Sequence, residues 1–304
     1  MRALSFVLAS GLSLLCLLTA PRALAEEPAA AAPAASAEPA APGLPTVDEL
    51  LAQAKEAIGK VQDYTAHMTK QERFKDGVLR KEVMRFKFAR PFKVYIKFLE
   101  PYVGREVIFI QGANDNEVRV HKGSFPDVTV NLDPRGGMAM ENNHHPVVHF
   151  GLENTIKLAE INLSLAHKRG EGEFKVAEGG DVGGRPTWKI DASFPMGGYY
   201  TVAKDDETLW NISERTMQDM YLILYTNKEL EDPDDPDEGD KIFIPRYYGK
   251  RAEFFLDKET KLPIRARIWD WNGKVYEEFE YKEVKLNPGL TAKDFDSNNP
   301  EYNF

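Results

Sequence analysis

The sequence predicts an α+β protein built on an unclosed antiparallel β-barrel, a curved sheet of roughly nine to eleven strands wrapped around two or three helices. Three observations lead to this fold class. Apolar and polar residues alternate with a period of two in residues 64–121 and 251–286, which is typical of half-buried strands. Turn pairs such as Asp76-Gly77 and Asn272-Gly273 separate the runs, as they do in β-hairpins. A few apolar segments with helical spacing lie between them.

The first 25 residues are predicted to be a cleaved signal peptide. Arg2 supplies a positive start, residues 3–19 are largely apolar, and Ala23-Leu24-Ala25 matches a cleavage site. An uncleaved membrane anchor is the alternative. The mature protein is therefore expected to be periplasmic or secreted. Cys16, the only cysteine, lies in this segment, so cleavage would exclude disulfides, zinc-thiolate sites and cysteine nucleophiles.

Residues 26–45 consist mostly of Ala, Pro, Glu and Ser without periodicity, which predicts a disordered linker. Residues 46–304 are expected to form a single domain. The chain has 39 basic and 48 acidic residues, and this balance argues against a nucleic-acid partner because phosphate binding requires positive charge.

The first helix is expected to open at Thr46, with Glu49 completing a capping box. The residues that follow form one apolar stripe at helical spacing: Val47, Leu50, Leu51, Ala54, Ile58 and Val61. Such an amphipathic helix requires an apolar partner surface.

An antiparallel meander is predicted after this helix. Met84, Phe86 and Phe88 fall on one face of a strand that carries Lys81 and other basic residues on its opposite face. Residues 92–98 repeat the pattern, and further strands are expected at 105–110 and 117–121.

The second half of the chain is predicted to mix helices and strands. Pro146 is expected to open a second, deeply buried helix, and Asp206 to cap a third helical segment that ends in the acidic loop 231–240. Strands are predicted at 174–176, 187–192, 251–256, 263–271 and 274–286.

The stretch NNHHPVVHF brings His144, His145 and His149 together within six residues. On a helix, His145 and His149 would have the spacing at which two imidazoles share a metal ion. No glutamate stands where a zinc-peptidase helix requires one. The alternative is a set of histidines packed at a strand-to-helix corner, so these three residues remain metal candidates only.

Motifs for enzymatic catalysis are absent from the sequence. The chain has no G-x-S-x-G and no S-x-x-K, and the expected loss of Cys16 removes the thiol nucleophile. The acidic loop 231–240 lacks the glycine spacing of a calcium-binding loop and is interpreted as a solvated segment. We therefore predict a protein that is not an enzyme, with no catalytic residue and no cofactor.

Several runs resemble a known family, among them DYTAHMTKQERF from Asp63, RPFKVYIKFLEP from Arg90, GREVIFIQG from Gly104 and FFLDKETKLPIRARIWDWNGKVYEEFEYKEVKLNPGLTAKDFD from Phe254. They look like an uncharacterised bacterial envelope family, a domain of unknown function that is similar to outer-membrane lipoprotein-sorting (LolA/LolB-like) carriers. The resemblance covers residues 46–304. It implies an unclosed barrel with an apolar cavity for acyl chains, and residues 199–248 look like an insertion relative to compact carriers.

The predicted function is a non-catalytic carrier or sensor of a hydrophobic acyl ligand in the bacterial envelope. The expected partner is an acylated lipid or a lipoprotein, with transient membrane contact and an envelope protein as a further partner. Two alternatives stay open. One is a metal-dependent hydrolase that uses the three histidines, and the other is a scaffold with a filled core that docks a partner through the acidic loop or the C-terminal tail.

Apolar residues on the predicted strands and helices are the candidates for the cavity lining. They are Val83, Phe86, Phe88, Val94, Ile96, Phe98, Ile108 and Ile110 on the strands, Leu152 and Ile156 on the second helix, and Met217, Met220 and Leu224 as a lid. A fully packed core fits the same pattern.

Overall fold

The structure is a computed structural model that describes residues 43–304. The predicted signal peptide (1–25) and residues 26–42 of the predicted linker lie outside the described residues. Among residues 43–304, no helix is both long enough and apolar enough to cross a membrane.

Eleven strands form one antiparallel sheet in the order β6-β5-β4-β3-β2-β1-β13-β12-β11-β8-β7, and the two remaining strands, β9 and β10, pair with each other. The strands are β1 (Asp63–Arg73), β2 (Leu79–Ala89), β3 (Lys93–Glu100), β4 (Glu106–Ile110), β5 (Val118–His121), β6 (Thr129–Leu132), β7 (Glu173–Val182), β8 (Arg185–Ser193), β9 (Gly198–Val202), β10 (Lys241–Pro245), β11 (Arg251–Asp257), β12 (Pro263–Trp269) and β13 (Val275–Leu286). Because the edge strands β6 and β7 do not pair, the barrel is unclosed, and the predicted fold class is confirmed.

Five helices accompany these strands within the described residues. They are α1 (Val47–Gly59), α2 (Gly137–Met140), α3 (Leu152–Arg169), α4 (Leu209–Thr216) and α5 (Met220–Thr226), with short 3-10 helices at Asn114–Asn116, Val147–His149 and Ala292–Phe295. Helices α1 and α3 contact each other, and their apolar faces join the strands in one core.

Helix α1 begins as the sequence predicts. The Thr46 hydroxyl accepts a hydrogen bond from the Glu49 N–H at 3.2 Å, and the Glu49 carboxylate accepts one from the Thr46 N–H at 2.8 Å. This reciprocal pair satisfies two N–H groups that have no partner inside the helix. The helix buries Leu50, Leu51 and Ala54 from the predicted stripe.

The long second helix begins later than the sequence predicts. Pro146 opens only the 3-10 turn Val147–His149, and α3 starts after Gly151, whose φ of 110° is a conformation that favours glycine. The residue at the N-cap of α3 is Gly151, which has no side chain to accept hydrogen bonds from the first N–H groups of the helix. Instead, the hydroxyl of Tyr64 accepts a hydrogen bond from the Leu152 N–H at 3.0 Å. Tyr64 lies on β1, so a distant strand fixes the start of the helix.

Replacing Gly151 with alanine is expected to lower the free energy of unfolding by about 2 kcal/mol, because a side chain is strained at this φ and ψ. A Cβ atom there would also lie 2.7 Å from the Tyr64 hydroxyl oxygen. Urea denaturation measures the loss. Gly59→Ala is the matched control, since nothing lies within 4 Å of its Cβ position. Equal stability of the two variants would contradict the role assigned to Gly151.

The third helical segment is two helices. Thr208 rather than Asp206 caps α4, in a capping box with Asn211, and the chain breaks at Met217, whose φ is 55°. Asp219 then caps α5 by accepting a hydrogen bond from the Leu222 N–H at 2.8 Å. The sequence predicts two or three helices, and the described residues contain five. The difference arises because the third predicted segment is divided into α4 and α5, and because α2 is a single turn without a clear sequence pattern.

Helices α4 and α5 and strand β10 share a hydrophobic cluster of their own. Its buried members are Ala203, Leu209, Ile212, Met220, Ile223, Leu224, Leu230, Ile242 and Ile244. The acidic loop 231–240 joins α5 to β10 and is mostly exposed.

The C-terminal segment after β13 packs on the outer face of the sheet. The ring of Tyr302 stacks on Tyr95 of β3 with centroids 4.0 Å apart, and Asp294 accepts a hydrogen bond from Lys87 Nζ at 2.8 Å. Phe295 is buried in the same cluster as Ile108 of β4. Strands β3 and β4 are therefore covered on both faces.

Candidate functional site

A cavity of about 190 Å³ lies between the inner face of the sheet and helix α3. Ten strands of the eleven-stranded sheet contribute to its wall, so it extends across most of the sheet. Its apolar lining includes Leu51, Met68, Met84, Ile96, Phe98, Val107, Val118, Leu158, Leu163, Ile190, Ala266, Ile268 and Phe279.

Two of the residues predicted to line a cavity, Ile96 and Phe98, lie on its wall. Five others belong to the packed core outside that wall: Phe86, Phe88, Val94, Leu152 and Ile156.

The remaining predicted lining residues lie away from the cavity. Val83 falls between the buried residues Glu82 and Met84 and therefore lies on the outer side of β2. Ile108 and Ile110 pack against the C-terminal segment. The three predicted lid residues do not close the cavity, because Met217 is 62% exposed and Met220 and Leu224 fill the core shared by α4 and α5.

Charged side chains cluster at one end of the inner face, on its three central strands. On β1 the buried row runs Tyr64, Ala66, Met68 and then changes to Lys70 and Glu72. Glu82 on β2 and Glu277 on β13 are also buried. We call Lys70, Glu72, Glu82, His144, His145, Asp219 and Glu277 the charged cluster. Lys70, Glu72, His145 and Glu277 line the cavity directly, so one cavity has an apolar body and a charged end.

Lys70 is enclosed by acceptors of the protein. Its Nζ donates a hydrogen bond to Asn143 Oδ1 at 2.6 Å and lies 3.1 Å from a Glu72 oxygen and 2.8 Å from a Glu82 oxygen. Burial opposes the charge, but the two carboxylates outweigh it and raise the pKa of Lys70 above its ordinary value. The ammonium group therefore has Asn143 as its hydrogen-bond acceptor and Glu72 and Glu82 as its ion-pair partners.

Glu277 organises the other half of the cluster. Its Oε1 accepts from His144 Nδ1 at 2.8 Å and from His145 Nε2 at 3.1 Å, and its Oε2 accepts from the Tyr248 hydroxyl at 2.9 Å. Burial would raise the pKa of this carboxyl group, but the charge of His145 and the histidine hydrogen bonds outweigh burial and lower it. Glu277 is therefore ionised.

His145 is held as a cation by its neighbours. Burial opposes its protonation, but Glu277 and, at 3.8 Å, Asp219 outweigh burial and raise its pKa to about 9. Asp219 reaches the cluster from the start of α5, where it also accepts a hydrogen bond from the Tyr276 hydroxyl at 3.1 Å. Burial raises the pKa of the Asp219 carboxyl group.

The three histidines of the sequence motif do not act together. His144 and His145 meet at Glu277, whereas His149 ends the 3-10 turn on the cavity wall. Burial and the positive charge of His145 lower the pKa of His149 to about 4, so this imidazole is neutral at pH 7. The helix expected to place His145 and His149 on one face does not begin until Leu152.

A different set has the geometry of a metal site. Ligand atoms of Glu72, His144 and Glu277 lie within 4.8 Å of one another, and all three residues are buried. However, Lys70 already neutralises Glu72, and His145 already neutralises Glu277. The cluster therefore places one cation of its own beside each of these two carboxylates.

His144 is enclosed by aromatic rings. Phe74, Tyr221, Tyr225 and Tyr276 have ring centroids 4.7 to 5.8 Å from its own. Its backbone N–H donates to Glu72 at 3.1 Å, while its Nε2 is buried without a hydrogen-bond partner among the described residues. Two of these tyrosines come from α5, so the α4–α5 segment closes the charged end.

Most residues of this cluster were not predicted as site residues from the sequence. The signal that could have found it is strand parity, because Lys70 and Glu72 occupy the same alternate positions as Tyr64, Ala66 and Met68. A charged residue at a core-facing position of a strand is rarely buried without a partner. His144 and His145 were singled out as metal candidates, but their true partner, Glu277, is more than a hundred residues away in sequence.

Comparison with known families gives one match. The profile of a family described as "Protein of unknown function (DUF1571)" matches residues 61–217 and 244–304. This match confirms the expected resemblance to a family of unknown function. Among curated proteins, none matches this chain.

Several solved structures are similar to this chain. They include MucB, at 11% identity over 82% of this chain, with a TM-score of 0.40; the similarity spans only 62% of the MucB chain. They also include lipoprotein LppX from Mycobacterium tuberculosis, at 11% identity over 83% of this chain and 100% of that chain (TM-score 0.37). A LolA superfamily protein from Nitrosomonas europaea matches at 8% identity over 83% of this chain and 98% of that chain (TM-score 0.30). At these identities and TM-scores, the similarity assigns no role to any residue of this chain.

Proposed function

The chain belongs to the DUF1571 family of proteins of unknown function, and we propose that it is a non-catalytic carrier or sensor that binds one hydrophobic acyl or alkyl chain. The observation that carries this proposal is the apolar cavity of about 190 Å³ between the sheet and α3. Well-packed cores contain few voids larger than a water molecule. A void of this size is therefore better explained by a ligand than by packing.

The size and lining of the cavity indicate the class of ligand. Its volume of about 190 Å³ is somewhat larger than that of an apolar protein cavity of about 150 Å³ that binds benzene. Apolar cavities stay dry and accept apolar ligands. Burial of each methylene group contributes about 0.8 kcal/mol before the cost of association. The cavity thus suits one short chain, or part of a longer one.

Binding fits the cavity better than hydrolysis does. Among the described residues that line it, there is no serine or cysteine to serve as a nucleophile. His145 cannot readily act as a general base, because Glu277 and Tyr248 engage its Nε2 and its raised pKa keeps it protonated at pH 7.

The setting of this activity follows from the predicted signal peptide. A periplasmic or secreted protein with such a cavity would take its chain from an acylated lipid or a lipoprotein, with transient contact to a membrane or to an envelope protein. The exposed apolar side chains Phe125 and Met138, which are 96% and 76% exposed, offer contact points for such a surface.

Filling the cavity is expected to weaken chain binding. Ala159 of α3 lies on the wall, and Ala159→Phe should weaken the binding of octanol by at least about tenfold, because the new ring occupies the space of the ligand. Isothermal titration calorimetry measures the affinity. The matched control is Ala52→Phe, at an exposed position of α1 that does not line the cavity; it should bind octanol like the unchanged protein.

Two results would contradict this proposal. One is that the unchanged protein binds no octanol up to the solubility of this alcohol. The other is that Ala159→Phe, shown by its melting curve to be folded, binds octanol as tightly as Ala52→Phe does.

A further inference from the structure

The charged end of the cavity restricts the head group of the ligand. This inference rests on the proposed function, since it concerns what lies at the end of the bound chain. Glu72 and Glu277 line the cavity together with Lys70 and His145. Whether a ligand with a negative, neutral or positive head group fits depends on which of these groups still has hydrogen-bonding capacity.

The two basic groups that line the cavity, Lys70 and His145, are already paired with carboxylates of the protein. Lys70 has three protein acceptors within 3.1 Å of its Nζ. His145 turns its Nε2 to Glu277 and Tyr248 and its Nδ1 towards Asp219. A carboxylate or phosphate head group would therefore have to compete with these carboxylates for either basic group, and it would meet buried carboxylates beside it.

The carboxylates do have capacity to spare. Each ionised carboxylate offers about four lone-pair positions. The contacts of Glu72 with His144 and Lys70 both go to Oε2, and Oε2 of Glu277 accepts only from Tyr248 among the described residues. Glu72 and Glu277 also stand directly opposite each other in the β1–β13 ladder, where like charges repel.

The charge balance of the cluster also favours a positively charged head group. Four carboxyl groups, those of Glu72, Glu82, Asp219 and Glu277, surround one lysine and two histidines. The four carboxyl groups outnumber the lysine and the two histidines by one. A group that donates hydrogen bonds and carries a positive charge would complement this end of the cavity.

We propose that the charged end of the cavity binds a primary ammonium group between Glu72 and Glu277, so that the natural ligand is an amphiphile with an amine head group and a hydrocarbon chain. Lys70 gives an internal precedent, since its own ammonium group lies against Glu72 and Glu82 in the same cluster. The chain of the ligand would extend over Met68, Met84 and Phe279, which continue the inner rows of β1, β2 and β13 into the apolar body of the cavity.

Three probes with one chain length test this assignment: octylamine, octanol and octanoate. An alkylamine is protonated at pH 7, as lysine is. Calorimetry on the full mature protein should find octylamine bound at least about tenfold more tightly than octanol, because hydrogen bonds to charged groups are the stronger ones, and octanoate bound most weakly. This comparison needs no variant, so it does not depend on the folding of a mutant.

The possible outcomes separate the two proposals. Equal affinity for all three probes, or preference for octanoate, overturns the ammonium assignment and leaves chain binding intact. Absence of binding by all three overturns chain binding itself. Stoichiometric binding of Zn²⁺ alone that blocks octylamine would assign the end to a metal ion and would also overturn the ammonium assignment.

A pair of variants locates the site. Glu72→Gln should reduce the ratio of the octylamine affinity to the octanol affinity by about tenfold. Glu100→Gln is the control, because Glu100 pairs with Lys81 at an exposed position of β3. Equal preference for octylamine in the Glu72→Gln protein and in the unchanged protein would overturn the assignment.

Discussion

Replacing Lys70 with methionine is expected to lower the free energy of unfolding by about 3–5 kcal/mol, the usual cost of removing one partner from a buried ion pair. Methionine keeps most of the length and volume of lysine but leaves Glu72 and Glu82 buried without a cation. Both carboxylates are at most 3% exposed, so water cannot replace the lost ammonium group. Urea denaturation at pH 7 measures the effect.

Lys81→Met on the adjacent strand is the matched control for this change. Lys81 lies 3.6 Å from Glu100, and both side chains are more than half exposed; such surface pairs contribute about 0–1 kcal/mol. The triple variant Lys70→Met, Glu72→Gln, Glu82→Gln should recover part of the loss, because it removes the unpaired charges together. A loss below about 1 kcal/mol in Lys70→Met would show that Lys70 does not hold the cluster together.

The stability of the protein is expected to fall by an amount on the order of 3 kcal/mol as the pH rises from 6.5 to 9. The pKa of His145 is raised from an ordinary 6.5 to about 9 in the folded protein. A raised pKa means that the folded state binds the proton more tightly. The stabilisation is therefore complete below pH 6.5 and is lost as the pH rises through 9.

Urea denaturation across this range measures the pH dependence. The groups that face His145 are Glu277, Asp219, Tyr248 and His149; since His149 has a lowered pKa, its titration falls outside this range. His145→Asn should flatten the profile. His67→Asn, on the outer side of β1, should keep it. A flat profile in the unchanged protein would contradict the assignment of a charged imidazolium to His145.

The parts of the fold that the sequence predicts are those with local signals. Apolar strand residues and turn pairs locate strands β1–β5, β7, β8 and β11–β13, and the capping box locates α1. Strands β6, β9 and β10 are only four or five residues long, and β6 and β9 have no buried residue, so they lack the apolar face by which a short strand is recognised. The late start of α3 depends on the hydroxyl of Tyr64, a contact between residues far apart in sequence.

The cavity lining was predicted less well, and β4 shows why. Its sequence EVIFI has no alternation, and four of its five residues are buried, because the C-terminal segment covers its outer face while the core covers the inner one. Period two cannot then tell Val107, which lines the cavity, from Ile108, which does not. Apolar residues alone do not reveal the charged cluster, because its members on the strands occupy buried positions but are themselves charged.

The pairing of β1 with β13 has a consequence for the order in which this protein folds. These two strands lie side by side at the centre of the sheet although about two hundred residues separate Glu72 from its partner Glu277. Pairs so distant in sequence form slowly, because the entropy of closing the loop between them is lost first. Until β13 has emerged and docked, Glu72 and His144 have no Glu277 beside them. An emerging or truncated chain that ends before β13 would therefore present an open sheet with an exposed apolar interior, and the complete wall of the cavity would arise only in the last steps of folding.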